Sequence, residues 1–332
     1  MVRAVAVRLA SLVGVLLLLA IAVFLIQRLL PADPVRAVLG RNASPDEIAA
    51  RRSELGFDDP LPVQLVRFLG DLLSGDLGTS LRTRSPVSAD IAAYLPATLE
   101  LVFVATVIAL LGGLIVGVLS ARGGWLSGVI RVVTAAGASA PSFLLAILGI
   151  LLLYRQLGLF PAGGRSSDLL ATSTPTGFLL VDRLLAGDPA GWLDALHHVL
   201  LPAFVLAVGS TVAIARVLRG SLRSVDSLDF VRSARAKGFT ALQVTTRHTL
   251  RNSLNPALSM TGLQVGMLLS GAVVVETVFS WPGIGAYLSA SIGFSDLPAI
   301  VGVVLVLGVA YVVINFVVDM LQLVVDPRLR SA

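Results

Sequence analysis

DFVRSARAKGFTALQVTTRHTLRNSLNP, running from Asp229 to Pro256, is polar and strongly basic within a chain that is otherwise apolar almost throughout. It reads as two short helices broken at Gly238. Asp226 is placed to cap the first, whose last turn carries Arg235 and Lys237, cations that suit the negative end of a helix. Gly238 then supplies a left-handed stop. Thr240 and Gln243, three apart, have the spacing of a capping box that opens the second helix. A bare linker needs no such punctuation, so the segment reads as an ordered surface for a partner.

Composition sets the surroundings of that segment. Hydrophobic residues make up 56% of the 332, charged residues 14%, and the mean hydropathy is +0.89. Those values exclude two soluble domains and indicate an integral membrane protein, expected from its spans to be all-α. The net charge of +5 and pI of about 10.4 suggest nucleic acid at first sight, but the way the charge is distributed argues against it. There is no cysteine, which excludes disulfides, thiolate metal sites and cysteine nucleophiles. Lys237 is the only lysine, and Gly238 and Phe239 follow it, so the chain has no Gly-Lys-Ser/Thr phosphate loop. If ATP drives this protein, another subunit binds it.

Six charge-free runs approach or exceed the length needed to cross roughly 30 Å of hydrocarbon. They are Leu9–Ile26, Leu101–Ala121, Val132–Tyr154, Val199–Ala215, Ala257–Val275 and Leu297–Val318. No small-residue cleavage site follows the first, and Gln27–Arg28–Leu29–Leu30 extends it, so a retained anchor is expected over a signal peptide. With the N-terminus inside, segments 1–8, 122–131, 216–251 and 326–332 hold fourteen basic residues against three acids. The outer segments 31–96, 155–198 and 276–296 hold ten basic and fifteen acidic residues. The positive-inside rule therefore predicts cytoplasmic termini and a cytoplasmic Asp229–Pro256 segment. Residues 31–96 are too long for a simple connection and read as an extracytoplasmic subdomain, with helices around Pro45–Leu55 and Pro62–Leu73. The segment Gly158–Asp194 reads as a looser outer loop with partial helix. The resulting division is an N-terminal membrane helix (1–30), the subdomain (31–96), a five-helix core with its loop at 220–256 (97–325) and a cytoplasmic tail (326–332).

The basic segment closely resembles the coupling loop of ATP-binding-cassette importer permeases, a Gly-centred helical pair gripped by a cytoplasmic ATPase. The family's usual Glu-Ala-Ala, three residues and Gly becomes Arg232, Ser233 and Ala234 before Gly238, a form similar to the peptide and nickel branch. Further stretches resemble the B-type subunit of the dipeptide/oligopeptide/nickel family. They are LPADPVRAVLG after the first span, ELGFDDPLPVQLVRFLGDLLSGDLGTS, GAVVVETVFSWPGIGAYL with DLP at Asp296–Pro298, and the terminal DPRLR. In this order they cover nearly the whole chain.

The resemblance implies a six-helix, type I importer permease in a bacterial inner membrane, with no cofactor of its own. It implies a second, similar permease, two cytoplasmic ATPases that bind ATP and Mg, and an extracytoplasmic solute-binding protein. The cargo is most simply a short peptide, although nickel complexes, glutathione, sugars and haem are carried by related systems. Asp229, Arg232, Ala234, Arg235, Lys237 and Gly238 are the expected coupling residues. The opposing class, a self-sufficient secondary transporter or channel, calls for an ion-coupling acid near the midplane and inverted halves. A scaffold would not need the paired helices.

Three other positions carry candidate roles. Glu276, where the fifth span ends, either gates and touches substrate or satisfies backbone as the chain turns at Trp281–Pro282–Gly283. Asn315, Asp319, Gln322 and Asp326 share one helical face; Asn315 and Asp319 are expected to clamp the sixth span to its neighbours, with Arg216 and Arg219 as partners. His197 and His198 belong to the family resemblance, with metal ligation as the alternative, and His248 reads as helix surface. No nucleophile, base and oxyanion set is present, so catalysis has nothing to rest on.

Overall fold

Apolar runs of this length leave the backbone no water to bond with, so the chain satisfies its N–H and C=O groups within helices. The computed structural model describes residues 2–29, 44–54, 56–121, 123–168, 175–240 and 243–325. Among these residues the only strand-like pairing is an isolated bridge between Thr79 and Pro86. The helices are α1 (Val2–Leu29), α2 (Pro45–Glu54), α3 (Leu61–Ser74), α4 (Val87–Ala121), α5 (Trp125–Ser139) and α6 (Ser142–Gly149), which runs on as a π-type turn to Gln156. They continue with α7 (Leu179–Leu185), α8 (Pro189–Asp226), α9 (Asp229–Ala236), α10 (Leu250–Val278), α11 (Ile284–Gly293) and α12 (Leu297–Val325).

Five of these are long and apolar enough to cross a membrane: α1, α4, α8, α10 and α12. The remaining expected span, Val132–Tyr154, is not a straight helix. It lies in α5 and α6, which meet at a 105° bend. Pro141 is the cause: its ring pushes Ala140 out of the helical region, to φ −78° and ψ 134°, and it has no N–H to carry the ladder across. Counting the bent pair as one span gives six.

Packing divides the chain into two compact units. One comprises Met1–Pro96 and Gly283–Val313. Its core is Val87, Ile91, Ile284, Tyr287, Ala299 and Val303, all buried, with the Tyr94 ring stacked 5.1 Å from that of Tyr287. A second cluster joins Ala20 and Val23 of α1 to Val301 and Leu305 of α12, with Phe68, Leu69 and Leu72 of α3 against it. The expected helices near Pro45 and Pro62 are α2 and α3, and a capping box between Ser44 and Glu47 opens the former.

The other unit comprises Ala97–Pro282 and Ile314–Ala332. At its centre α8 lies along α10, and α4 packs on α8 through glycines. A Cβ at Gly113 would sit 2.6 Å from Ile214 and one at Gly117 2.9 Å from Leu218. Small residues four apart let two membrane helices approach at backbone distance, where dispersion rather than hydrophobicity holds them.

Candidate functional site

The basic segment folds as the caps dictate. Gly238 has φ +85°, and the N–H groups of Gly238 and Phe239 donate to the carbonyls of Arg235 and Ala234, the paired bonds of a Schellman stop. The Thr240 N–H donates to Gln243 Oε1 (2.9 Å) and the Gln243 N–H to Thr240 Oγ1 (3.3 Å), which closes the capping box. The second helix begins as a π-type turn, Val244–Thr249, that flows into α10. Asp226 does not cap α9 as its position suggested. Leu228 occupies that place without a side-chain bond, and Asp226 ion-pairs with Arg235 at 2.6 Å. The guanidinium reaches the carboxylate across the turn, and a charged pair outcompetes an N-cap bond.

Burial sorts these residues into two faces. Val231, Ala234 and Val244 pack together with Val225 and Phe239 and hold the two helices as one body. Ala234 is thus an internal spacer, whereas Asp229, Arg232, Arg235 and Lys237 are exposed, beside the apolar Leu228 and Phe230. His248 lies half-buried with its ring 5.5 Å from that of Phe239. A rigid, basic, partly apolar surface results, suited to an acidic or amphipathic partner.

At the opposite end of α8, roughly 50 Å of helix away, a second set of charges is buried. Glu100, at the start of an apolar run, ion-pairs with Arg165, and their side chains are only 6% and 15% exposed. Glu100 also accepts the Leu180 N–H (2.7 Å), and Arg165 donates to the Gly177 carbonyl while lying over the Trp281 ring. Trp281 in turn donates to the Ala97 carbonyl (2.9 Å). Glu276, fully buried, accepts the Thr98 hydroxyl at 2.5 Å.

Within the expected looser segment Gly158–Asp194, residues 158–168 are tied down, and the partial helix is α7. The Gly164 N–H bonds the Phe279 carbonyl, Ser166 and Ser167 donate to Asp194, and His197 Nε2 donates to the Leu159 carbonyl. His198 Nδ1 lies 2.9 Å from the Asp194 carbonyl, so both imidazoles serve as backbone clips. Residues 169–174 of that segment lie outside the described residues.

The first unit joins two of the sequence motifs. Ser80, ending GDLGTS, donates to Asp296 of the DLP element at 2.5 Å, and Asp296 also accepts the N–H groups of Arg82 and Ala299, capping α12. Nearby, the Tyr287 hydroxyl donates to Asp90 (2.8 Å); burial, then this bond, pushes its pKa up to about 12, so the phenol stays a donor. On α12, Asn315 is half-buried and bonded, while the side chains of Asp319 and Gln322, and all of Asp326, lie outside what the structure describes.

Sequence reasoning missed Glu100 and Arg165. The available signals were an acid at the lip of a span, in LPATLELVF, and an arginine after Gly163–Gly164. Nothing local links residues 65 apart.

Comparison with known proteins agrees with this architecture. Residues 89–331 match the family model described as binding-protein-dependent transport system inner membrane component, and residues 1–102 match its N-terminal companion. A probable D,D-dipeptide transport system permease protein, DdpB, of Escherichia coli K12 is 43% identical over 92% of this chain and 91% of its own. A di/tripeptide transport system permease protein, DppB, of Pseudomonas aeruginosa is 41% identical over 92% of each chain. A dipeptide transport system permease protein of Alkalihalophilus pseudofirmus is 37% identical over 97% and 98%. The family-model match over most of the chain and this end-to-end similarity place the chain in the family of inner-membrane permease components of binding-protein-dependent, ATP-binding-cassette transport systems.

Proposed function

We propose that this permease carries short peptides inward by alternating access, driven by ATP bound and hydrolysed, with Mg, on two partner ATPases. A second permease completes the path and an extracytoplasmic solute-binding protein delivers the cargo. Both termini and the Gly238 helical pair face the cytoplasm, in keeping with the excess of basic residues in the inner segments. The peptide cargo is supported by the relatives' names and extends to this chain through identity above 35% along nearly its whole length.

One observation carries the coupling reading. The pair α9 and Val244–Thr249 is a pre-formed body, stapled by its own apolar contact and ended by a left-handed glycine, with its charges turned outward. A body of that kind transmits displacement to α10, into which it runs without a break. ATPase closure pushes it, and α8 and α10, packed along each other, carry the movement through the membrane.

Gly238→Val tests this. A β-branched residue tolerates positive φ poorly, so the stop is lost and the exposed face re-aimed. In vesicles reconstituted with the partner subunits, labelled dipeptide uptake should fall at least tenfold and ATP hydrolysis should stop responding to substrate. Permease abundance should stay normal. Unchanged uptake would reduce the segment to a passive linker.

A further inference from the structure

The break between α5 and α6 lies at membrane depth. A Cβ on Gly137, just before it, would sit 3.5 Å from Val208, and one on Gly149 would sit 3.4 Å from Leu201. Both partners belong to the charge-free Val199–Ala215 run of α8. Ala140 and Pro141 are extended there, with ψ 134° and 140°, and the helical ladder is cut. The Ala140 N–H turns back to the Gly137 carbonyl, and the Leu144 N–H bonds the Pro141 carbonyl instead of that of Ala140. The carbonyls of Ala138, Ser139 and Ala140 thus lose the donors that a straight helix would give them. The Ser139 hydroxyl does not answer them, since it donates to the Ala135 carbonyl. Ala138 and Ser139 are exposed, and so are Ala135, Ala136 and Pro141, whose small side chains cover little of the backbone.

Lipid tails have no donor for these carbonyls. A helix of a second permease has spent its own N–H groups in its ladder. Water does carry donors, so this face borders the aqueous path. The exposed line of α4, Phe103, Val107, Leu111 and Ile115, is the contrast: its side chains are large and apolar, and the helix beneath them is unbroken. A solute displaces the water at the break without loss only if it brings donors of its own. A free peptide brings them, in its α-ammonium group and its first amide N–H.

Resting on the peptide-permease reading above, we propose that the α5–α6 break holds the main chain of the cargo at mid-membrane. The carbonyls of Ala138, Ser139 and Ala140 accept hydrogen bonds from its α-ammonium group and first amide N–H. No side chain of the cargo takes part, so peptides of different sequence are held alike, and a peptide with a blocked amino terminus is held less well.

The chain has no cysteine, so Ser139→Cys places its single thiol at the break. The variant is assembled in nanodiscs with the partner permease and ATPases, and the binding protein is left out so that its selectivity does not enter. A charged methanethiosulfonate is added during ATP turnover, and labelling is read on this chain by mass spectrometry. Ser139→Cys should label much faster than Leu111→Cys, on the exposed line of α4. Millimolar dialanine should slow that labelling, and N-acetyl-dialanine, which lacks the ammonium group, should need about tenfold more for the same effect. Pro141→Ala restores the missing N–H and lets the ladder close, so adding it to Ser139→Cys should abolish both the fast labelling and the protection. Should that double variant not assemble, the Ser139→Cys comparison decides alone. Labelling no faster than at Leu111→Cys, no protection, or equal protection by the two dipeptides would overturn the proposal. Dipeptide uptake by the same complex with its binding protein, in vesicles, separates the failures: uptake without protection removes this site only, and absent uptake removes the peptide reading with it.

Discussion

The two ends of α8 handle charge in opposite ways. Around Glu100 and Arg165 the charges are buried, paired across 65 residues and surrounded by hydrogen bonds that tie Leu157–Asp168 to α8 and to the turn after α10. Around Gly238 they are exposed and paired over three or nine residues, with side chains 45% or more in solvent. A buried pair forfeits hydration on both partners and is strongly sensitive to losing one, whereas an exposed pair contributes little. The first end is therefore built to hold a shape, and the second to present one to a partner.

The largest expected effect breaks the buried end. Glu100→Ala leaves Arg165 without its carboxylate and the Leu180 N–H without its acceptor, and should destabilise the permease by about 3–5 kcal/mol, read as a lower thermal midpoint in detergent. Glu100→Gln keeps an acceptor and should lose less. Equal losses would mean that packing, not charge, holds this end.

A smaller effect tests the rod between the ends. Gly117→Val places a branched side chain against Leu218 and should cost about 1–3 kcal/mol by overpacking, detected in the same melt. Undiminished stability would show that α4 and α8 separate freely.

At the exposed end, Thr240→Ala removes half of the capping box and should cost about 1 kcal/mol. Hydrogen exchange should report it as faster opening confined to Thr240–Thr249, with the melt scarcely moved. Least of all, Asp226→Asn breaks an exposed pair and should change stability by under about 1 kcal/mol, and less still in high salt. If this last variant were as damaging as Glu100→Ala, the contrast between the ends would collapse.

How much of this was legible follows the range of the interactions. Gly238, the Thr240–Gln243 box and the helices near Pro45 and Pro62 were readable because caps and stops act within a turn of chain. Asp226 was misread for the same reason: its cap position was local, but its partner Arg235 lies nine residues on, across the fold-back. Gly158–Asp194 reads as a looser loop with partial helix; the helix is there at Leu179–Leu185, but the anchors of residues 158–168, Phe279, Asp194 and Glu100, are too far away in sequence to be legible.

By itself the sequence determined a helical membrane protein, the positions of its apolar runs, and the ordered basic segment, since hydropathy and capping are properties of contiguous residues. Only the tertiary structure decided that the Val132–Tyr154 run bends by 105° at Pro141, that Ser80 meets Asp296, and that Glu100 holds Arg165. A proline permits a bend without setting its angle, and a carboxylate does not announce its partner. Both depend on which surfaces meet when the helices pack, and that is settled by contacts between segments that the linear order keeps apart.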